Sequence, residues 1–337
     1  MASDGLTVAV TGPTGDLGIA LVSALDRSRR VRKIVGMARK PFDPESQGWK
    51  KVEYRQGDVQ DKKSVRDAVK DADVVVHLAF AIIGAGSQSQ AINVDGSRNV
   101  FEAAIEAGTE RICYASSVAA YGFHSDNPIW LTEDVLPRGT REHYYSQQKA
   151  EVEEALAHLL LRTERTHAWV FRPCIVAGPR ALALLEEMPY IRLSEELPEP
   201  VTRLLEALPA VKPVIPDPGI RFQFVHEDDV ASAFVAGALG KGAPGPYNLA
   251  GQGTATMSDV ARALDWYSIP VPELAVEAMA EMLSRLPALP EAFAWIHTVR
   301  RPVLMRTDRA RQELGWRPRH TTKQTLRETV AARRGSD

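Results

Sequence analysis

The first 180 residues alternate short β-branched runs with stretches whose apolar residues recur at helical spacing, and that alternation constrains the fold more than any other feature. Leu6–Thr11 reads as a strand, after which Leu17, Ala20, Leu21, Ala24 and Leu25 fall at helical spacing. Val31–Ala38 and Val52–Gln56 read as the second and third strands, and Asp61–Lys70 as an exposed helix with Val65, Ala68 and Val69 on one side. Val74–Leu78 is nearly all apolar, as a central parallel strand covered on both faces must be. A helix is expected through Asn93–Ala107, ending at Gly108, then a fifth strand at Ile112–Ala115, a helix at His143–Leu161 and a sixth strand at His167–Arg172. This order implies right-handed crossovers and a doubly wound α/β parallel sheet with helices on both faces.

After Pro179 the texture changes. Residues 180–218 are rich in Leu, Glu and Pro, with prolines breaking short helices. Phe222–Val225 and Tyr247–Leu249 read as short strands around a helix near Asp229–Ala238, residues 256–297 as broken helix, and Asp308–Leu314 as the last clear helix. Apolar residues at 45% and charged residues at 25% are ordinary for a globular chain, and a net charge of −2 offers no basic surplus for nucleic acid or anionic lipid. Cys113 and Cys174 both sit in apolar runs and read as free buried thiols in a reducing compartment. No charged-then-apolar leader precedes Leu6, and the longest uncharged apolar stretch, Val74–Gly86, is interrupted by His77 and too short to span a bilayer. A cytoplasmic, soluble protein is the expectation.

Directly after the first strand comes Thr11-Gly12-Pro13-Thr14-Gly15-Asp16-Leu17-Gly18. Gly12 and Gly15 allow turns and close approach that a Cβ would block, and Gly18 lets the helix pack on the strand. Unpaired amides at such a helix start suit a pyrophosphate, although an ordinary strand-to-helix turn can also contain glycines. At the end of the second strand an acid would accept from an adenosine ribose diol; here Ala38 is followed by Arg39 and Lys40, which suit a 2′-phosphate instead. NADP is therefore favoured as cofactor, with NAD still possible. Asp58, after the third strand, can accept from the adenine amino group or cap the next helix.

Tyr145 and Lys149 stand four residues apart on the His143–Leu161 helix and so share a face. Ser116-Ser117 follows the fifth strand at the carboxyl edge of the sheet, where open α/β folds bind ligands. A phenol is a poor base at neutral pH, but an adjacent ammonium favours its anion, so Tyr145 beside Lys149 can move a proton as hydride moves between nicotinamide and carbon.

With these residues in place, the chain resembles the extended short-chain dehydrogenase/reductase family, also called the NAD-dependent epimerase/dehydratase family. The resemblance rests on Thr11–Gly18, Asp58-Val59, His77-Leu78-Ala79, Asn93-Val94-Asp95-Gly96, Ser116-Ser117 leading to Tyr121-Gly122, Tyr145 to Lys149, Arg172-Pro173, Gly178-Pro179, Phe224 to Val230, and Leu314 to Pro318. It implies a Rossmann-type domain over 1–179, with returns near 220–250, and a smaller, mostly helical substrate-binding or lid region over 180–219 and 251–337. It also implies Ser117, rather than Ser116, as the catalytic serine, Tyr145 as the acid/base and Lys149 as its partner. The cofactor would lie on Gly12, Thr14, Gly15, Asp16, Leu17, Gly18, Arg39, Lys40, Asp58, Val59, Leu78, Ala79, Tyr145, Lys149, Pro173, Ile175 and Val176. A homodimer joined through a helical bundle would be the common assembly.

The resemblance leaves the small-molecule substrate open. Nucleotide-sugar members of the family typically carry an asparagine three residues after the arginine matching Arg172; here Ile175 stands there and cannot donate to a phosphate. Residues 181–212 hold six acids against three bases, a poor site for a diphosphate. The expected function is thus an NADP(H)-dependent oxidoreductase interconverting a carbonyl and a secondary alcohol on a small, mainly uncharged substrate. Arg300, Arg301 and Arg306 keep a nucleotide-sugar epimerase or dehydratase open, and a non-catalytic NADP sensor is the rival of another class. His226 beside Glu227-Asp228-Asp229 reads as a charged helix start, with no second cluster at metal spacing and so no metal site. His143 reads as a helix-opening histidine and the six tryptophans as packing or pocket wall.

Overall fold

The computed structural model describes residues 5–81, 89–182, 212–272 and 302–335. Its centre is a seven-stranded sheet in which every pairing is parallel. The first half of the chain supplies β1 (Leu6–Thr11), α1 (Asp16–Asp26), β2 (Val31–Ala38), β3 (Val52–Gln56), α2 (Lys62–Val69), β4 (Val74–His77), α3 (Gly96–Glu106), β5 (Arg111–Ala115), β6 (Trp130–Leu131), α4 (Tyr144–Leu160) and β7 (His167–Pro173). The second half adds β8 (Ile175–Ala177), β9 (Val214–Asp217), β10 (Phe224–His226), β11 (Gly245–Leu249), β12 (Tyr267–Pro270) and β13 (Leu304–Met305). Its helices lie over Glu227–Ala238, Met257–Leu264, Asp308–Glu313 and Thr322–Arg334. Across the sheet the order is β3-β2-β1-β4-β5-β7-β11, so the winding reverses between β1 and β4.

Strand alternation divides the interior into two layers. Val8, Val10, Val74, Val76, Cys113 and Ala115 face the core walled by α1 and the helix Glu227–Ala238. Ala9, Val75, Ile112 and Tyr114 face the opposite core, built with Val65 of α2, Val100 of α3 and Val152 of α4. Full burial of one such valine stabilises by ~1.5–3 kcal/mol, which is why nearly continuous apolar runs settle at the sheet centre. Ile215, Phe224, Val260, Leu264, Leu326 and Val330 form a third, smaller core beyond the sheet. Cys113 and Cys174 are free and buried, and burial pushes the Cys113 thiol up to about 12.

The major strands and helices stand within a residue or two of their expected positions, and four features differ. The helix expected from Asn93 is regular only from Gly96, after a wider π-helical turn over Ala91–Asp95. Asp308–Glu313 is not the last helix, because Thr322–Arg334 follows it. Where broken helix was expected after residue 256, the helix ends at Leu264 and β12 pairs with β9. The short pairs β6–β13 and β8–β10 join distant segments that no local periodicity marks. Residues 183–211 and 273–301, which include Arg300 and Arg301, lie outside the described residues. Among the described residues no helix is long and apolar enough to cross a membrane.

Candidate active site

The glycine turn lies where the winding reverses. Gly12 has φ +75°, and a Cβ there would stand 2.9 Å from the Ala79 nitrogen. At Gly18 a Cβ would come within 2.2 Å of the Gly12 carbonyl oxygen, so α1 packs against the turn at a distance only glycine permits. A Cβ on Gly15 would meet only that same oxygen, at 3.9 Å, which leaves its outer side open for a ligand at the start of α1. Beneath the turn, Thr11 Oγ1 is 2.6 Å from His77 Nδ1, and His77 Nε2 is 2.8 Å from Ser97 Oγ. Ser97 gives its own proton to the Asn93 carbonyl, so His77 donates from Nε2 and accepts at Nδ1. Burial, reinforced by the Lys149 charge, holds this imidazole neutral, pushed down to about 3. His77 therefore ties β4 to β1 and α3 and fixes Leu78 and Ala79 beside Gly12.

At the carboxyl ends of β5 and α4's first turn the chemistry gathers. Ser117 opens a short 3₁₀ turn over Val118–Tyr121, its Oγ accepting the Ala119 amide at 3.1 Å. Ser146 Oγ donates to the Ala119 carbonyl at 2.6 Å and fixes α4 against that turn. That contact brings Tyr145, adjacent to Ser146, beside Ser117. Ser116 points elsewhere, donating to the Glu153 carboxylate. Burial pushes the Tyr145 phenol up, and the Ser117 hydrogen bond pulls it back. The expectation that Lys149 lowers it is not met: Lys149 Nζ lies 5.7 Å from the Tyr145 ring centre, donates to the Ala115 carbonyl at 2.7 Å and sits 3.5 Å over the Phe80 ring. Burial pushes Lys149 itself down to about 7 against the pull of Glu153.

Several supporting residues escape sequence reasoning. Asn93 Nδ2 donates to the Ala81 carbonyl at 2.9 Å and to Gln148 Oε1 at 2.9 Å, and its Oδ1 accepts the Ala81 amide at 2.7 Å. That clamp joins the loop after β4 to α4 and presents Phe80 to Lys149 and, edge-on at 5.5 Å, to Tyr145. Glu153, one turn beyond Lys149, accepts from Arg172 at 2.9 and 2.6 Å, both side chains being almost fully buried. Asn93 stands in a quoted motif and Glu153 at helical spacing from Lys149, but neither pairing is visible in sequence.

The remaining expected residues fall around the same edge of the sheet. Arg39 and Lys40 end β2 as exposed cations with no ion-pair partner among the described residues. Asp58 is half-buried and accepts the Gln60 amide, while Asp61, not Asp58, caps α2. Val59 is buried, close enough that a Cβ on Gly96 would come within 2.6 Å of it. Thr14, Asp16 and Leu17 form the open lip of the turn, and Pro173, Ile175 and Val176 continue β7 into β8. His143 caps α4, accepting the Ser146 amide at 3.2 Å, and His226 caps the next helix. The absence of a second ligand group near His226 does not survive folding, because His320 and Glu328 come beside it. Arg306 pairs on the surface with Asp308 at 3.7 Å.

A glycine cradle at a parallel sheet's switch point, with exposed cations after the second strand, fits a dinucleotide and defines a dinucleotide-binding fold. The comparisons with known proteins narrow this. The chain belongs to the NAD-dependent epimerase/dehydratase family, whose sequence profile matches residues 8–250. Sterol demethylase protein B of Methylococcus capsulatus is 31% identical over 181 residues, 52% of each chain. The Bordetella bronchiseptica enzyme WbmH in complex with NAD+ is 23% identical with a TM-score of 0.69, each chain covered to 98%. The dTDP-glucose 4,6-dehydratase of Bacillus anthracis in complex with NAD is 18% identical with a TM-score of 0.72, covering 99% of this chain and 98% of its own.

Proposed function

We propose that the protein exchanges a hydride between a nicotinamide dinucleotide and a secondary carbinol carbon, Tyr145 moving the accompanying proton. The observation that carries this reading is the meeting of Ser117 and Tyr145 at the carboxyl edge of the sheet, where Ser146 ties α4 to the turn that Ser117 opens, one helical turn from buried Lys149. When bound, the dinucleotide supplies or accepts the hydride. Tyr145 gives its phenolic proton to a carbonyl oxygen, or takes one from a hydroxyl, and Ser117 holds that same oxygen. The Phe80 ring covers the Lys149 amine and keeps water from it.

For the substrate, the likeness to the solved dTDP-glucose 4,6-dehydratase supports a nucleotide sugar, oxidised at a ring carbon before epimerisation or dehydration, above the uncharged substrate that sequence favours. The second reading, a small and mainly uncharged alcohol or ketone, is favoured by half-buried Ile175 and by the relative named for sterol demethylation. Melting temperatures with dinucleotide present separate the two. A rise with UDP- or dTDP-sugars supports the first; no rise, with NAD(P)H consumed on ketones or steroids, supports the second. Tyr145→Phe should cut turnover ~10²-fold or more while leaving cofactor affinity nearly unchanged. Failure of the wild type both to convert any nucleotide sugar and to consume NAD(P)H on ketones or steroids would leave a dinucleotide sensor.

NADP is the proposed cofactor, because Arg39 and Lys40 stand where an acid would serve NAD. Arg39→Asp should weaken NADPH binding far more than NADH binding in fluorescence titrations. Equal losses for both would make Arg39 a bystander and return the preference to NAD.

A further inference from the structure

Three donor atoms converge where the start of the helix Glu227–Ala238 meets the helix Thr322–Arg334. A ring nitrogen of His226, one of His320 and a carboxylate oxygen of Glu328 all lie within 4.8 Å of one another. None of the three residues belongs to the candidate active site. His226 is 3% exposed, and its Nε2 is buried without a hydrogen bond of acceptable angle although Glu328 Oε2 stands 3.2 Å away. The His320 ring stacks on the His226 ring, centres 4.0 Å apart, with its Nε2 3.8 Å from the same Glu328 oxygen.

The groups behind the imidazoles suit ligation. His320 Nδ1 is 3.0 Å from Asp229 Oδ2, so the ring proton sits at Nδ1 and the lone pair at Nε2 faces Glu328. On His226, Nδ1 accepts the Asp228 amide at 3.1 Å, and an Asp228 carboxylate oxygen stands 4.0 Å from it. Binding a cation at His226 Nε2 moves that ring's proton to Nδ1, where it turns from the amide donor to the Asp228 carboxylate as acceptor. A carboxylate hydrogen-bonded behind a ligating histidine, as Asp229 is behind His320, fixes its orientation and raises its basicity. Glu328 and His320 are partly exposed, their side chains at 46% and 24%, which leaves a face for a water as fourth ligand.

We propose that His226, His320 and Glu328 bind one borderline divalent transition ion, of which zinc(II) is the type, as a clasp between the C-terminal helix and the body of the fold. Two imidazole nitrogens and one carboxylate oxygen suit zinc, whereas magnesium and calcium require oxygen-rich sets. In sequence the ligands stand 94 and 8 residues apart, a spacing that no metal motif uses.

The test uses the full-length protein stripped with a chelator. Zinc titrated in competition with a chromophoric chelator should bind at one equivalent and raise the melting temperature, and magnesium should do neither. Cobalt(II) in its place should give the visible d–d bands of a low-coordinate site. His320→Gln and Glu328→Gln, at partly exposed positions, should each weaken zinc at least ~10-fold and abolish the thermal rise. Their melting temperatures without metal should match wild type, which separates loss of the site from loss of the fold. No stoichiometric zinc on the wild type, or zinc affinity undiminished from wild type in both variants, overturns the proposal.

Discussion

Lys149 shows how one residue's surroundings set its chemistry. Its ammonium has a carbonyl and an aromatic face for company and almost no solvent, so burial lowers it to about 7, against an ordinary value near ~10.4. Between those two values the unfolded chain keeps a proton that the folded protein has released. The unfolded state then binds more protons, so stability rises as pH climbs from about 7 towards 10. The slope is up to ~1.4 kcal/mol per pH unit from this residue alone. Urea unfolding of the nucleotide-free protein at pH 7, 8 and 9 should show that rise, and Lys149→Met should flatten it. Parallel slopes in wild type and variant would mean the amine keeps its proton in the fold. For the reaction, a lysine balanced near neutrality is a partner whose charge a bound ligand can readily alter.

Elements were legible in sequence wherever local pattern and burial agree. β4 and β5 are covered on both faces, so their apolar runs are continuous, and the helices beside them show one apolar side. The helix Thr322–Arg334 escaped because Thr322, Thr325 and Thr329 make up much of its buried face, with only Leu326 and Val330 apolar. Its start is nonetheless written in the chain, as Thr321 and Gln324 form a capping box. Site residues at element ends were legible for the same reason: Gly12, Ser117 and Tyr145 need only their own strand or helix to be placed. Asn93 holding Gln148 across 55 residues, and Glu153 holding Arg172, depend on which helix packs on which strand. Local spacing carries no information about that. The converse case is Lys149, where sequence named the residue and misjudged its effect on Tyr145, because the amine turns to the Ala115 carbonyl.

At the scale of the molecule, one buried ion pair links distant segments of the sheet. Glu153 of α4 accepts the Ser116 hydroxyl at the end of β5 and two nitrogens of Arg172 on β7, and the guanidinium lies 4.6 Å from the Tyr121 ring centre. Burial works against the charge on Arg172, and the Glu153 carboxylate outweighs it. Two strand ends, α4 and the 3₁₀ turn carrying Ser117 therefore share one electrostatic knot. Removing one partner leaves the other charged in an apolar interior, so Glu153→Ala should destabilise by ~3–5 kcal/mol in urea unfolding. The double change Glu153→Leu with Arg172→Met removes both charges and should recover much of that loss. A double variant no more stable than Glu153→Ala would mean that the side-chain shapes, rather than the uncompensated charge, set the cost. A Glu153→Ala loss under ~1 kcal/mol, the scale of an exposed pair, would mean that water reaches the pair.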